Sequence, residues 1–352
     1  MSDRRRLPVA ATLSLLVPGL LGPWPADRTK AEFPWPAAPA LEWLLARAET
    51  RTAPRSADAV LFQRFGLPAS AESDLPVAAV TRLADGAEVD EGWWLRADPV
   101  HLRPDLRGVF LVDARLLAIE AAEARALAAA FDQTFAADGL RLDPLRPDRW
   151  YLRLPADPGL LTYPLIDAIG RDINPLLPHG PARQRWHALL TEAQMLFHGH
   201  PVNQEREQRG QPTINGLWFW GGGSRPTGAR APAAGVYAND PLARGLARLA
   251  GVAVGPVPEH ADDWLDGAGG EPDSLVVLET TRYDPVDGDL ALRAEHIAEL
   301  ERAWFAFCRR WLQTGKLAAL HLYPGNGRVH TLTGAARWRF WQRSRPLRAH
   351  FS

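Results

Sequence analysis

His198-Gly199-His200-Pro201-Val202-Asn203-Gln204-Glu205-Arg206, running on through Gly210, Pro212 and Asn215 into Leu217-Trp218-Phe219-Trp220-Gly221-Gly222-Gly223, is the stretch on which the fold reading turns. Immediately before it, Ala182–Phe197 carries helical periodicity; within it, the apolar run Gly216–Trp220 between glycines reads as a strand. The same alternation recurs outward in both directions. Strands are predicted at Val9–Val17, Gly108–Val112, Trp150–Leu154, Ser274–Leu278 and Ala318–Tyr323. Helices are predicted at Ala118–Phe135, Pro241–Leu249 and Leu292–Gln313. In the last, Ile297, Leu300, Trp304, Phe307, Cys308 and Trp311 recur at three- and four-residue spacing, one apolar face of a long helix. Alternating helices and strands define an α/β protein.

Composition bounds the function. The 352 residues hold 40 Lys and Arg against 41 Asp and Glu, a net charge of -1, which argues against a whole-protein grip on nucleic acid or an anionic membrane. Only two of the basic residues, Lys30 and Lys316, are lysine, a coding bias that suggests a bacterial source. The single cysteine, Cys308, excludes an internal disulfide, and its place in the apolar stripe predicts an inert buried thiol. Arg4-Arg5-Arg6 followed by Leu7–Leu21 has the outline of a secretory signal. Pro8 and Pro18 interrupt it, however, and no small-residue cleavage site follows, so a buried strand and a cytoplasmic chain are expected. Pro- and Gly-rich stretches at Gly22–Pro39, Asn174–Pro181 and Gly221–Gly235 read as loops or crossings.

Four segments carry residues suited to chemistry. His198 and His200, with Glu205, could ligate a metal, although histidines at a helix exit more often bond backbone. Gly221-Gly222-Gly223 lacks the Lys and Ser/Thr of a phosphate loop, so the bland reading is a strand whose tryptophans pack on both faces. Arg96, His101 and Arg103, beside Trp93-Trp94, could hold an anion; Arg96 and Asp98 could instead pair to fix a turn before Pro99. Arg337-Trp338-Arg339-Phe340-Trp341, with Arg343, Arg345 and Arg348, mixes cations and rings as nucleic-acid surfaces do, but a strand with Trp338 and Phe340 inward explains it more simply. Asp284-Pro285-Val286-Asp287-Gly288-Asp289 lacks the later Glu of a calcium loop.

His200-Pro201-Val202-Asn203, Arg206, Gly210, Pro212, Asn215, Trp218, Trp220-Gly221 and Gly223 resemble a stretch of the archaeal-type cofactor-independent phosphoglycerate mutases, of the alkaline phosphatase superfamily. With Trp94-Leu95-Arg96-Ala97-Asp98-Pro99-Val100-His101-Leu102, the chain is more similar still to the bacterial RpfE-type regulatory proteins. The resemblance implies a mixed, mostly parallel sheet flanked by helices, with a smaller inserted α+β domain; we place the core in 1–95 and 196–352 and the insertion in 96–195. It also implies two divalent metals on Asp and His, and a serine that takes the phosphoryl group. The matching positions depart from that pattern. Pro18-Gly19 stands where the first metal Asp should be, Arg282 and Val286 stand at the later Asp and His, and Pro324-Gly325-Asn326 replaces the last Asp-His pair. Ser56 lies one residue from the nucleophile position.

The sequence therefore predicts a catalytically degenerate relative with no cofactor and no catalytic residue, Ser56 being the one candidate. It would bind a phosphorylated metabolite or a protein partner through Arg96, Asp98, His101, His200, Asn203, Arg206, Asn215, Trp218 and Trp220, with no membrane association. The alternative is an active mutase or phosphatase whose rebuilt site uses Ser56, Asp58, His198 and His200 with Mn or Mg. A nucleic-acid-binding regulator acting through the Arg-rich C-terminal segment is a third class.

Overall fold

The computed structural model describes residues 11–22, 35–70, 73–106, 108–267, 273–284, 290–339 and 341–351. In chain order, the first segment contributes β1 (Ala11–Leu16), α1 (Pro39–Arg47), β2 (Glu49–Thr52) and α2 (Ala57–Arg64). Next come α3 (Val77–Ala84), β3 (Trp93–Asp105), β4 (Gly108–Asp113), α4 (Ala121–Phe135), β5 (Arg141–Arg146), β6 (Arg149–Leu154), α5 (Leu165–Ala168), α6 (Arg183–His198), α7 (Pro201–Gln208) and β7 (Gly216–Ser224). The last segment supplies β8 (Gly235–Tyr237), α8 (Pro241–Leu249), β9 (Val254–Gly255), α9 (Ala261–Gly267), β10 (Asp273–Val277), α10 (Leu290–Leu300), α11 (Ala306–Thr314), β11 (Leu317–Tyr323) and β12 (Arg328–Thr333). These elements form two compact units, one of residues 1–68 with 228–352 and one of residues 69–227. The second unit takes in both β3 and β7, which pair along most of the length of β3.

The first unit holds a seven-stranded sheet in the order β2-β12-β11-β1-β10-β8-β9. β11, β1, β10, β8 and β9 run parallel, and β12 and β2 close one edge antiparallel. Parallel strands need both faces covered. Leu13 and Leu15 of β1 pack into the core with Leu41, Trp43 and Leu44 of α1 and Ile297, Trp304 and Trp311 of the long helical segment. On the opposite face, Arg64 of α2 reaches the Ser14 hydroxyl at 3.2 Å. The mixed, mostly parallel sheet flanked by helices is the architecture expected from the sequence.

The predicted long helix exists with one irregularity: Glu301–Phe305 is a turn of π-helix between α10 and α11. The wider turn sets the buried Glu301 carboxylate against the start of α1, where it accepts from Ala40 N at 2.6 Å and Leu41 N at 3.0 Å. Ala38 gives that helix no side-chain cap, so a residue 261 positions away satisfies its first donors. Cys308 is fully buried in the stripe, and burial pushes its thiol up to about 12, as an inert cysteine requires.

His330 on β12 is 6% exposed, with Nδ1 3.2 Å from Thr50 Oγ1. Burial, then His350 and Arg328, push its imidazole down from 6.5 to about 4. As pH falls, the unfolded chain therefore takes up this proton first. The associated stability is complete above pH 6.5 and is lost towards pH 4, a change of about 3 kcal/mol. Urea unfolding of wild type and His330→Gln at pH 7 and near pH 4.5 is expected to show a shallower decline in the variant. Parallel decline would exclude His330 as the source.

The second unit is an antiparallel sheet, β4-β3-β6-β5 with β7 on the other side of β3. β3 carries Pro99 although it is central, a position proline rarely takes. Pro99 falls where one neighbour hands over to the next, since β6 pairs with Trp93–Arg96 and β4 with Val100–Asp105. The tryptophans of β7 do not pack on both faces. Trp218 and Trp220 lie opposite Asp98 and Arg96, whereas Leu217 and Phe219 face the core under α4 and α6. The glycines that follow make room for α3: a Cβ on Gly221 would lie 2.9 Å from Val77, and one on Gly223 2.6 Å from Pro76.

The C-terminal segment is not the strand predicted from its alternation. Gly334–Trp338 is a 3-10 turn, Trp338 is exposed, and Arg339 is the half-buried residue, donating to Arg47 O at 2.8 Å and Glu49 at 3.1 Å. Phe340 and residues 285–289 of the calcium-like segment lie outside the described residues.

Candidate functional site

In an open α/β sheet, ligands gather where parallel strands end. In the first unit those ends are three exit loops and two helix starts. Pro18-Gly19 follows β1, Glu279–Arg282 follows β10, and Pro324-Gly325 follows β11. The loops lock together: Thr281 Oγ1 donates to Pro18 O at 2.8 Å, and Leu21 N donates to Pro324 O at 3.0 Å. Gly19, at φ +81°, cannot be replaced without conflict, because a Cβ would stand 2.3 Å from the Thr281 carbonyl oxygen.

Two carboxylates reach this end of the sheet from helix starts. Asp240 follows β8 and caps α8, accepting from Ala243 N at 2.7 Å ahead of Pro241. Asp58 sits in the first turn of α2, where Ser56 is the N-cap, accepting from Ala59 N at 3.4 Å. Between them lies the Arg282 guanidinium. Its Nη1 is 2.6 Å from Asp240 Oδ2 and 3.9 Å from Glu279 Oε1, and its Nη2 is 2.9 Å from Asp58 Oδ1. Arg282, Asp58 and Asp240 are each nearly buried. Burial opposes the charge on Arg282, but Asp240, Asp58 and Glu279 outweigh it and hold the guanidinium protonated far above its ordinary range.

A divalent metal seat needs its oxygen donors converging on one point. Here Asp58 and Asp240 are turned to opposite nitrogens of a guanidinium. Among the described residues, no three His, Cys, Asp or Glu side chains form a group that could hold a metal ion. The two metals implied by the family resemblance do not fit this donor set. Arg282 entered the sequence reading only as a departure from a ligand position, and Asp240 and Glu279 were missed. The available signal was Asp240-Pro241, a helix-start signature directly after a strand.

The residues expected to bind a ligand, and His198, lie in the second unit. Arg96 and Asp98 do pair, at 2.5 Å, but inside β3 rather than at a turn, and Trp220 Nε1 donates to the other Asp98 oxygen at 2.7 Å. Tyr151 and Trp220 flank the Arg96 guanidinium at 5.3 and 5.2 Å. Trp218 Nε1 donates to Tyr163 O at 2.9 Å. His101 Nδ1 lies 2.9 Å from the Thr213 carbonyl oxygen and 3.3 Å from its hydroxyl. Asn215 extends the β3 ladder with its amide, accepting from Leu102 N at 2.6 Å and donating to Leu102 O at 2.9 Å.

His198 ends α6 exposed, while His200 caps α7, its Nδ1 accepting from Val202 N at 3.2 Å; desolvation lowers its pKa. The pair thus marks a break between two helices. Asn203 spends both amide atoms on Phe197 and Ile214 backbone, tying the end of α6 to the approach to β7. Arg206 is wholly buried, bonded to Pro212 O, Leu117 O and Glu123. The segment that dominated the sequence is therefore a polar staple made chiefly to backbone.

Fold and site together define an open α/β protein whose carboxyl-end site is organised around a buried guanidinium held by acids. No protein-family model and no curated protein matches the chain. Among solved structures, it is similar to the PH0037 protein of Pyrococcus horikoshii, with 15% identity and a TM-score of 0.58 over 97% of this chain and 92% of that one. It is also similar to the cofactor-independent phosphoglycerate mutase of Thermoplasma acidophilum, with 18% identity and a TM-score of 0.50 over 97% of this chain and 94% of that one. These likenesses show the fold, which is phosphoglycerate-mutase-like, of the alkaline-phosphatase-like α/β type.

Proposed function

We propose that this chain is a catalytically degenerate phosphoglycerate-mutase-like protein that acts by binding, in the manner of the RpfE-type regulatory proteins, and works in the cytoplasm. The observation that supports this reading is the guanidinium of Arg282 bound between Asp58 and Asp240 at the carboxyl end of the sheet. Metal-assisted phosphoryl transfer draws on concentrated positive charge at the transferring group. A single guanidinium facing Asp58, Asp240 and Glu279 leaves the site with an excess of negative charge, which repels a phosphate. Of the two ligand classes, a protein partner therefore fits this end of the molecule better than a phosphorylated metabolite. Should a metabolite bind elsewhere, the Arg96–Trp220 and His200–Asn215 segments are the places to probe.

Isothermal titration of the full chain with Mn²⁺ and with 2- and 3-phosphoglycerate is the test. Neither stoichiometric Mn²⁺ binding nor isomerisation of the phosphoglycerates is expected. Tight Mn²⁺ binding with turnover would overturn the reading and favour the active enzyme.

A further inference from the structure

The net charge of -1 conceals a strong asymmetry. From residue 302 to residue 352 the chain has ten Lys and Arg and no Asp or Glu. Charge segregated into one segment is an electrostatic footprint that an average erases. The fold leaves much of it at the surface: Arg328, Arg343, Arg345 and Arg348 are exposed. Trp338 and Trp341 are 64% and 67% exposed, whereas Trp150, Trp304 and Trp311 are fully buried.

Two glutamates anchor the segment. Glu49 pairs with Arg339 at 3.1 Å, and Glu42 accepts the Leu347 backbone N–H at 2.8 Å. Leu347 is thereby buried, and the chain around it runs in short turns. Among the described residues, Arg343, Arg345 and Arg348 form no ion pair with a carboxylate. The field they create is felt locally: besides burial, Arg345 lowers the pKa of His350, and His350 and Arg328 lower that of His330.

We propose that Trp338, Trp341, Arg343, Arg345 and Arg348 form a docking surface for single-stranded nucleic acid, the exposed indoles stacking with bases and the three arginines taking phosphates. Exposed rings beside guanidiniums are the combination that binds unpaired strands without sequence preference. An anionic membrane asks instead for a continuous apolar face sunk into the headgroups. Among the described residues of this segment, the aliphatic Leu347 is buried and the exposed apolar groups are the two indoles, so the nucleic acid is the better match.

Fluorescence anisotropy of a labelled oligothymidylate of about 20 nucleotides, titrated with the full chain at several salt concentrations, tests this. Binding is expected to weaken linearly on a log–log scale with salt. Trp338→Ala/Trp341→Ala is expected to lower affinity at least roughly tenfold at every salt concentration. Arg343→Gln/Arg345→Gln/Arg348→Gln is expected to reduce the salt slope by about 2. All five positions are exposed, and circular dichroism and thermal unfolding confirm that the variants fold. Three results would overturn the proposal: no binding at low salt, binding untouched in both variants, or binding to phosphatidylglycerol vesicles without binding to the oligonucleotide.

Discussion

Arg282→Ala is expected to destabilise the protein by about 3–5 kcal/mol, among the largest effects of any single substitution, because it strands two carboxylates in the interior. Asp58 and Asp240 are 7% and 3% exposed at the side chain, and the guanidinium is the counter-charge they share. The pattern of rescue is more informative than the loss. With the guanidinium gone, Asp58, Asp240 and Glu279 no longer point to separate nitrogens and can turn toward the gap, where their excess negative charge attracts a divalent cation. Added Mn²⁺ at about ten times its dissociation constant is expected to return roughly 1.4 kcal/mol to the variant and nothing to wild type. Arg282→Lys keeps the charge but loses the fork that spans both acids, and should fall between the two. Urea unfolding with and without Mn²⁺ reads all three proteins. Equal response of wild type and Arg282→Ala would show that the guanidinium is not what closes the seat.

The same residue shows where sequence reasoning reaches and where it stops. The alternation of helix and strand was legible because parallel strands buried on both faces are nearly continuously apolar, as Leu15–Val17 and Leu275–Leu278 are. Arg282 was legible as a break in a ligand pattern, but not as the hub of a cluster, since Asp58 and Asp240 lie 224 and 42 positions away and no periodicity links them. Glu301 capping α1 is hidden for the same reason, with the π turn that aims it leaving no mark in the apolar stripe. At His198–Asn215 the situation is reversed. Polar residues of the types that ligate and catalyse stood close together, yet Asn203, Arg206 and Asn215 meet the hydrogen-bonding needs of backbone between elements. An amide or guanidinium has the same inventory of donors and acceptors whether it faces a ligand or a turn. Only the fold says which. The C-terminal segment misled through its period, since a two-residue alternation of ring and cation fits a strand until Gly334 opens a 3-10 turn.

Asp98→Leu is expected to cost about 3–5 kcal/mol, and the added change Arg96→Met to return most of it. Asp98 is fully buried and Arg96 is 5% exposed, so removing the acid alone leaves a guanidinium with its principal counter-charge gone and the Trp220 indole N–H without its acceptor. Asp85, already joined to Arg149 at 2.6 Å and to the Tyr151 hydroxyl at 2.6 Å, lowers the cost only partly. Burial is the largest influence on both members of the pair and disfavours the charged form of each; Asp98 keeps the arginine protonated, while the carboxyl of Asp98 itself is pushed upward. A pair held under such tension is a poor source of stability against well-packed apolar residues of similar volume, and methionine and leucine supply those. The double-mutant cycle also separates the two roles that sequence allowed for these residues. If Arg96 and Asp98 serve only the interior of the sheet, the double variant should unfold near wild type and retain whatever ligand the protein binds. A stable double variant that has lost a binding activity of wild type would return Arg96 to the list of anion-holding residues.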